Sequence, residues 1–186
     1  MHDLTQITAL GGSDAETFSV AGVTCREVPE VALAAVAARM GKESPTRAAV
    51  KKAIGADAPD IARFAEASLC AFWTGPDQYM IEAPFETHED IAAHIKSLTK
   101  VNASVTEQTD GWTRFDLTGA GVRDVFELLC ALNIRDSQPG SAQRTSIHHL
   151  GCFVLCRAEE TFSIYGPRAS AGSLQHAIHT AMKAAL

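Results

Sequence analysis

The chain has 186 residues, 46% of them hydrophobic, and a formal net charge of −6. Such a composition suits a globular protein with a substantial core and argues against disorder. The acidic balance argues against a nucleic-acid or anionic-membrane partner, because phosphate surfaces recruit basic patches. No apolar run is long enough to span a bilayer, and the N-terminus lacks the basic segment and apolar core of a signal peptide. A cytoplasmic location is therefore the expectation.

Residues 1–19 are rich in Gly, Ser, Thr and Asp and read as a loose arm. A strand is expected from near Phe18 through Val28. Pro29 then opens a predicted helix with Leu33, Val36, Ala37 and Met40 on one face, and Gly41 stops it. In a second predicted helix Ser44 is the N-cap, Pro45 the first helical residue and Gly55 the end. Its basic residues Arg47, Lys51 and Lys52 read as a solvated face in preference to a docking patch, since the whole chain is acidic. Residues 55–68 form a connector with room for one helical turn.

From Leu69 onward a hairpin-plus-helix module recurs. Residues 69–73 and 79–84 flank the turn Thr74-Gly-Pro-Asp-Gln78. A predicted helix follows over 88–98, with Ile91, Ile95 and Leu98 on one face and Thr87 with Asp90 as a capping-box-like start. A second hairpin is expected over 103–119, turning at Asp110-Gly111. The next helix carries the stripe Val122, Val125, Phe126, Leu129, Leu132. A third hairpin, 145–165, turns near 158–160, and the last helix points Leu174, Ala177, Ile178, Ala181 and Met182 inward. Three such units imply an α+β fold: antiparallel hairpin-plus-helix modules in two layers. The expected organisation is an arm over 1–19 and a domain over 20–186. That domain is divisible into 20–68 with 69–100, and 101–186.

Chemistry is hard to find in these residues. Gly119-Ala-Gly121 sits where a dinucleotide fingerprint would, but Asp124 replaces the glycine that the fingerprint needs, so a structural turn is the reading. His148 and His149, placed on a strand, point to opposite faces. His176 and His179 share a helix face, without a carboxylate or cysteine at matching spacing, and read as its solvated side. There is no nucleophile elbow. The five cysteines include no CxxC. Cys152 and Cys156 would lie about 13 Å apart on one strand face, too far for a disulfide, so buried free thiols are expected. Phe72, Trp73, Tyr79 and Phe85 gather around one hairpin. Trp73 and Tyr79 are candidates for a subunit interface, with core packing as the rival reading.

In combination, four motifs resemble the gamma subunit of heterotetrameric sarcosine oxidase, a family related to the folate-binding aminomethyltransferase fold. Residues Trp73 to Tyr79 resemble that family's tryptophan–x–glycine–proline–aspartate–glutamate–tryptophan turn, departing at Gln78 and Tyr79. Leu117-Thr-Gly119 with Arg123-Asp124-Val125 resembles its strand-to-helix joint. Pro139-Gly140 with Gln143-Arg144-Thr145 resembles the loop into its last hairpin. Tyr165, Arg168, Ser170, Ser173 and Leu174 resemble its final joint, with Gln175 in place of an aromatic. The resemblance covers Leu69 to the C-terminus and is faint before it.

The resemblance implies a non-catalytic subunit partnered by alpha, beta and delta chains. The complex would oxidatively demethylate sarcosine, or a related N-methyl amino acid, to glycine, passing the one-carbon unit to tetrahydrofolate. FAD, FMN, NAD, zinc and tetrahydrofolate would belong to the other subunits, leaving no catalytic, cofactor or metal residue here. A stand-alone folate-dependent carrier would instead need a carboxylate to hold the pterin, and Asp77 and Asp116 are the candidates.

Overall fold

The computed structural model describes residues 6–186, so the first five residues of the expected arm lie outside the described residues. In chain order the elements are β1 (Thr17–Val20), β2 (Val23–Glu27), β3 (Val31–Ala38), α1 (Glu43–Ile54), β4 (Phe64–Glu66), β5 (Cys70–Gly75), β6 (Gln78–Pro84), α2 (Ile91–Thr99), β7 (Ala103–Glu107), β8 (Trp112–Thr118), α3 (Val122–Leu129), β9 (Ala142–Ile147), β10 (Leu150–Ala158), β11 (Thr161–Pro167) and α4 (Ala171–Ala185). The strands form two antiparallel sheets, and the class is α+β, as the hairpin-plus-helix pattern implies. Two compact units result. One takes the residues up to Pro29, Asp110–Pro139 and Arg144–Leu186, and the other takes Glu30–Thr109 and Gly140–Gln143. The chain thus passes between the units at 29/30, 109/110, 139/140 and 143/144, where the sequence suggested a division at 100/101.

The first unit is built on a six-stranded sheet in the order β1-β2-β8-β11-β10-β9. Alternation sends Phe115 and Leu117 of β8, Phe162 and Ile164 of β11, and Cys152, Val154 and Cys156 of β10 into one cluster. That cluster also holds Val122, Val125, Phe126 and Leu129 of α3 and Leu174, Ile178 and Met182 of α4. The two helix stripes read from the sequence therefore cover one sheet face, each fully buried large apolar side chain contributing about 1.5–3 kcal/mol. Phe126 and Phe162 meet with ring centroids 4.9 Å apart.

The expected loose arm is tied down where it is described. Glu27, 1% exposed, accepts hydrogen bonds from the Leu10 N–H at 3.1 Å and the Glu16 N–H at 3.3 Å. The strand expected from Phe18 through Val28 is a hairpin, β1 with β2, bent at Ala21-Gly22, where both residues have positive φ.

The second unit is a five-stranded sheet in the order β4-β5-β6-β3-β7, with α1 and α2 on one face. Here the expected helix after Pro29 is wrong: Val31–Ala38 is a strand, paired with β6 on one side and β7 on the other. Alanine favours helix locally. Tertiary packing overrides it, because Ala32, Ala34 and Val36 enter the core against the helices while Leu33 is buried on the opposite face. Met40, placed on the helix stripe, is 98% exposed. The α1 helix begins two residues earlier than expected, with Lys42 as N-cap and Pro45 inside its first turn, where no intrahelical donor is required. Gly55 closes it in the left-handed conformation. Asp90, not Thr87, caps α2, accepting from the Ala93 N–H at 3.1 Å.

The second expected hairpin is also corrected. β7 pairs with β3, whereas β8 pairs with β2 and β11, so Asp110-Gly111 lies in a short 3-10 connection between two sheets. The first hairpin, β5 with β6, forms as read; the third keeps its turn near 158–160, but its first strand starts at Leu150, because residues 142–147 are a separate strand, β9.

Candidate functional site

The face of the six-stranded sheet that carries no helix holds a connected polar network. The register sets Asp116 opposite Ser163, and Arg114 opposite Tyr165. Arg114 clamps the Asp116 carboxylate with both nitrogens, Nε to Oδ1 at 2.8 Å and Nη2 to Oδ2 at 2.7 Å. The Ser163 hydroxyl donates to Asp116 Oδ1 at 2.7 Å. Arg157 donates to Ser163 Oγ at 3.0 Å and to the Tyr165 hydroxyl at 2.7 Å. Ser163 and Tyr165 are fully buried, so the bonds to their hydroxyls satisfy groups that water does not reach. Asp116 is thus held in place by Arg114 and Ser163, with its side chain still 26% exposed, and the arrangement orients side chains across the sheet. Asp77, the other candidate, lies exposed in the turn between β5 and β6 with φ of 53°.

The candidate interface pair sits directly across one strand pair, Trp73 opposite Tyr79. Tyr79 is 4% exposed and belongs to the core of the second unit, its hydroxyl accepting from Arg47 Nη1 at 3.3 Å. That burial withdraws it from any docking surface of the free chain. Trp73 is half-buried, Phe72 fully buried, and Phe85 packs on the core. Arg47 also donates to the Ala58 and Pro59 carbonyls and to Asp60, and Lys51 pairs with Asp57 at 2.7 Å. These two cations of the α1 basic group strap down the connector that follows it. The Lys51 ammonium in turn holds the Asp57 carboxyl below its usual range.

The histidines do not converge. His148 and His149 are not on a strand; they are the two turn residues between β9 and β10, with φ of 47° and 67°. A two-residue turn of this kind wants left-handed backbone at both positions. His176 lines an open groove with His148, Leu128, Ala177 and Ala181, whereas His179 packs tilted against Phe18, ring centroids 4.8 Å apart. Among the described residues no three His, Cys, Asp or Glu side chains are grouped to hold a metal ion.

Gly119 and Gly121 have φ of 134° and 89°. A Cβ on Gly119 would fall 2.3 Å from the Gly22 carbonyl oxygen. Arg123, in the first turn of α3, donates to the carbonyls of Glu159 and Ser137 and lies over the Phe162 ring. This joint is a packed corner, as the structural reading of these glycines holds. The five cysteines are free thiols. Burial pushes the Cys25 thiol up to about 12, with the negative charges of Asp116 and Glu16 adding to it, and burial pushes Cys152 up to about 11. Thiols so shifted are poor nucleophiles.

No family model and no curated protein matches the sequence. Solved structures do match. A chain of the heterotetrameric sarcosine oxidase from Corynebacterium sp. U-96, in complex with pyrrole 2-carboxylate, superposes with a TM-score of 0.75 at 20% identity, covering 87% of this chain and 84% of that one. The glycine cleavage system aminomethyltransferase T from Bartonella henselae gives a TM-score of 0.60 at 15% identity over 82% of this chain. This chain spans 44% of that protein's length. No helix is long and apolar enough to cross a membrane among the described residues. Two helix-backed antiparallel sheets, connected in this order, give the chain the fold that a heterotetrameric sarcosine oxidase chain shares with aminomethyltransferase T.

Proposed function

We propose that this chain is a non-catalytic, gamma-like subunit of a heterotetrameric sarcosine oxidase. The observation that carries the reading is mutual coverage. The likeness spans 87% of this chain and 84% of the oxidase chain, so it embraces nearly a whole subunit of that assembly. In this reading alpha, beta and delta subunits hold FAD, FMN, NAD, zinc and the folate. They oxidatively demethylate sarcosine, or a related N-methyl amino acid, to glycine, and the one-carbon unit goes to tetrahydrofolate. The complex works in the cytoplasm. The chain's own chemistry supports a scaffolding part: Asp116 is held by Arg114 and Ser163, and the reactive range of Cys25 and Cys152 is closed by burial.

Co-expression with the three candidate partner chains tests the proposal. The four chains should elute together and consume oxygen when given sarcosine. The chain alone should be colourless and inactive. Turnover or bound flavin in the isolated chain, or its failure to co-elute, would sink the proposal. Oxygen uptake with another N-methyl amino acid and none with sarcosine would move it to a related dehydrogenase complex.

A further inference from the structure

Two loops distant in sequence meet at one end of the five-stranded sheet. Ala38 pairs with Ala103, and the Arg39 N–H donates to the Asn102 carbonyl at 2.9 Å. The next residues outward on the two segments are Met40 and Val101, which are 98% and 73% exposed. Both loops are closed turns: the Lys42 N–H donates to the Arg39 carbonyl at 2.8 Å, and the Asn102 N–H to the Thr99 carbonyl at 2.9 Å. Lys100 holds φ of 52° without being glycine, a strained backbone that sets Val101 outward from the end of α2.

Arg39, Lys42 and Lys100 are exposed around this apolar pair. Among the described residues none of the three has an acidic partner, whereas Arg47 and Lys51 of the same unit are each held by an aspartate at 2.7 Å. Lys96 lies nearby, its Nζ donating to the Ala103 carbonyl at 2.9 Å. The carboxylates at this end are Glu43, which accepts from the Gly41 N–H at 2.9 Å, and Asp77, whose backbone carbonyl accepts from Ala38. Cations outnumber carboxylates here, in a chain whose net charge is −6. An exposed apolar pair inside a rim where cations predominate has the anatomy of an interface centre and rim.

We infer that Met40 and Val101, with Arg39, Lys42 and Lys100, form a docking surface for an acidic protein partner. That partner supplies an apolar socket for the two side chains and carboxylates for the three cations. The inference rests on the subunit reading and names where on this chain the other subunits bind.

The full chain, co-expressed with the alpha, beta and delta candidates, provides the test. Met40→Asp with Val101→Asp should weaken assembly at least about tenfold, as truncating an interface anchor does. Lys42→Glu with Lys100→Glu should weaken it too, and that effect should shrink as salt rises. Neither pair should move the melting temperature of the isolated chain, because all four side chains are exposed. Assembly unchanged in both variants overturns the docking surface and leaves the subunit reading standing. A wild-type chain that does not assemble overturns both. If light scattering finds the isolated wild-type chain dimeric and Met40→Asp monomeric, the occupant is a second copy and the inference fails. Binding of the wild type to phosphatidylserine vesicles, abolished by Lys42→Glu with Lys100→Glu, would likewise overturn it in favour of a membrane surface.

Discussion

At the scale of single residues, Tyr79 shows how an aromatic side chain's role turns on its surroundings. Its ring fills the second unit's core, and its hydroxyl meets Arg47, so the phenol is both packed and satisfied. Truncation would leave a cavity and a guanidinium short of one acceptor. We expect Tyr79→Ala to cost the isolated chain about 3–5 kcal/mol, the range for removing a buried aromatic ring, read as a lower denaturant midpoint. Trp73→Ala should cost less, since Trp73 is only half-buried. An unchanged midpoint for Tyr79→Ala would refute the core assignment. The hairpin that carries both residues was legible from its turn sequence. Which of the two enters the core was not, because that depends on where the following helices lie.

Between elements, the corner at Gly119 joins β8 to α3 and abuts the turn of the β1–β2 hairpin. Its φ of 134° and the 2.3 Å approach to the Gly22 carbonyl leave no room for a side chain. Gly119→Ala should therefore destabilise by about 2–4 kcal/mol, combining backbone strain with overpacking. Gly172, near the start of α4, has nothing within 4 Å of a Cβ. There an alanine should stabilise by about 0.5–1 kcal/mol, because it restricts the unfolded chain and favours helix. Thermal or chemical denaturation of the two variants should give shifts of opposite sign. Equal shifts would contradict this account of the corner. The stripes of α3 and α4 were readable because amphipathic periodicity is local. β3 was not, because its Ala-rich run has strong local helix preference and becomes a strand only when β6 and β7 flank it.

Across the whole molecule, the buried thiols link stability to pH. The folded-state values of Cys25 and Cys152 are raised to about 12 and about 11 from an ordinary 9.0. The folded protein therefore holds these protons more tightly than the unfolded chain. Their contribution is fully present below pH 9 and is lost as pH rises through 11 and 12. Stability should fall progressively above pH 9, and replacing both residues by alanine should flatten that fall while lowering stability at neutral pH. In the native protein neither thiol should react with a disulfide reagent at pH 8, and both should react in denaturant. Rapid labelling of Cys25 in the native state would show that the first unit opens more readily than its packing implies.

The sequence alone determined the α+β class, the first hairpin and the turn of the third, the helices after Gly41 and from Thr87 onward, and the free thiols, of which all but the half-buried Cys130 are buried. Each of these is written in short-range signals: turn dipeptides, caps and apolar periodicity. Tertiary structure alone decided that Val31–Ala38 is a strand and that β7 and β8 belong to different sheets, although Asp110-Gly111 joins them like a hairpin. It also decided that Arg114, Asp116, Arg157, Ser163 and Tyr165 form one network and that Met40 stands beside Val101. Strand order caused each of these outcomes. Pairing between strands distant in sequence is a property of the assembled sheet, and no local window of residues encodes which strand will lie alongside.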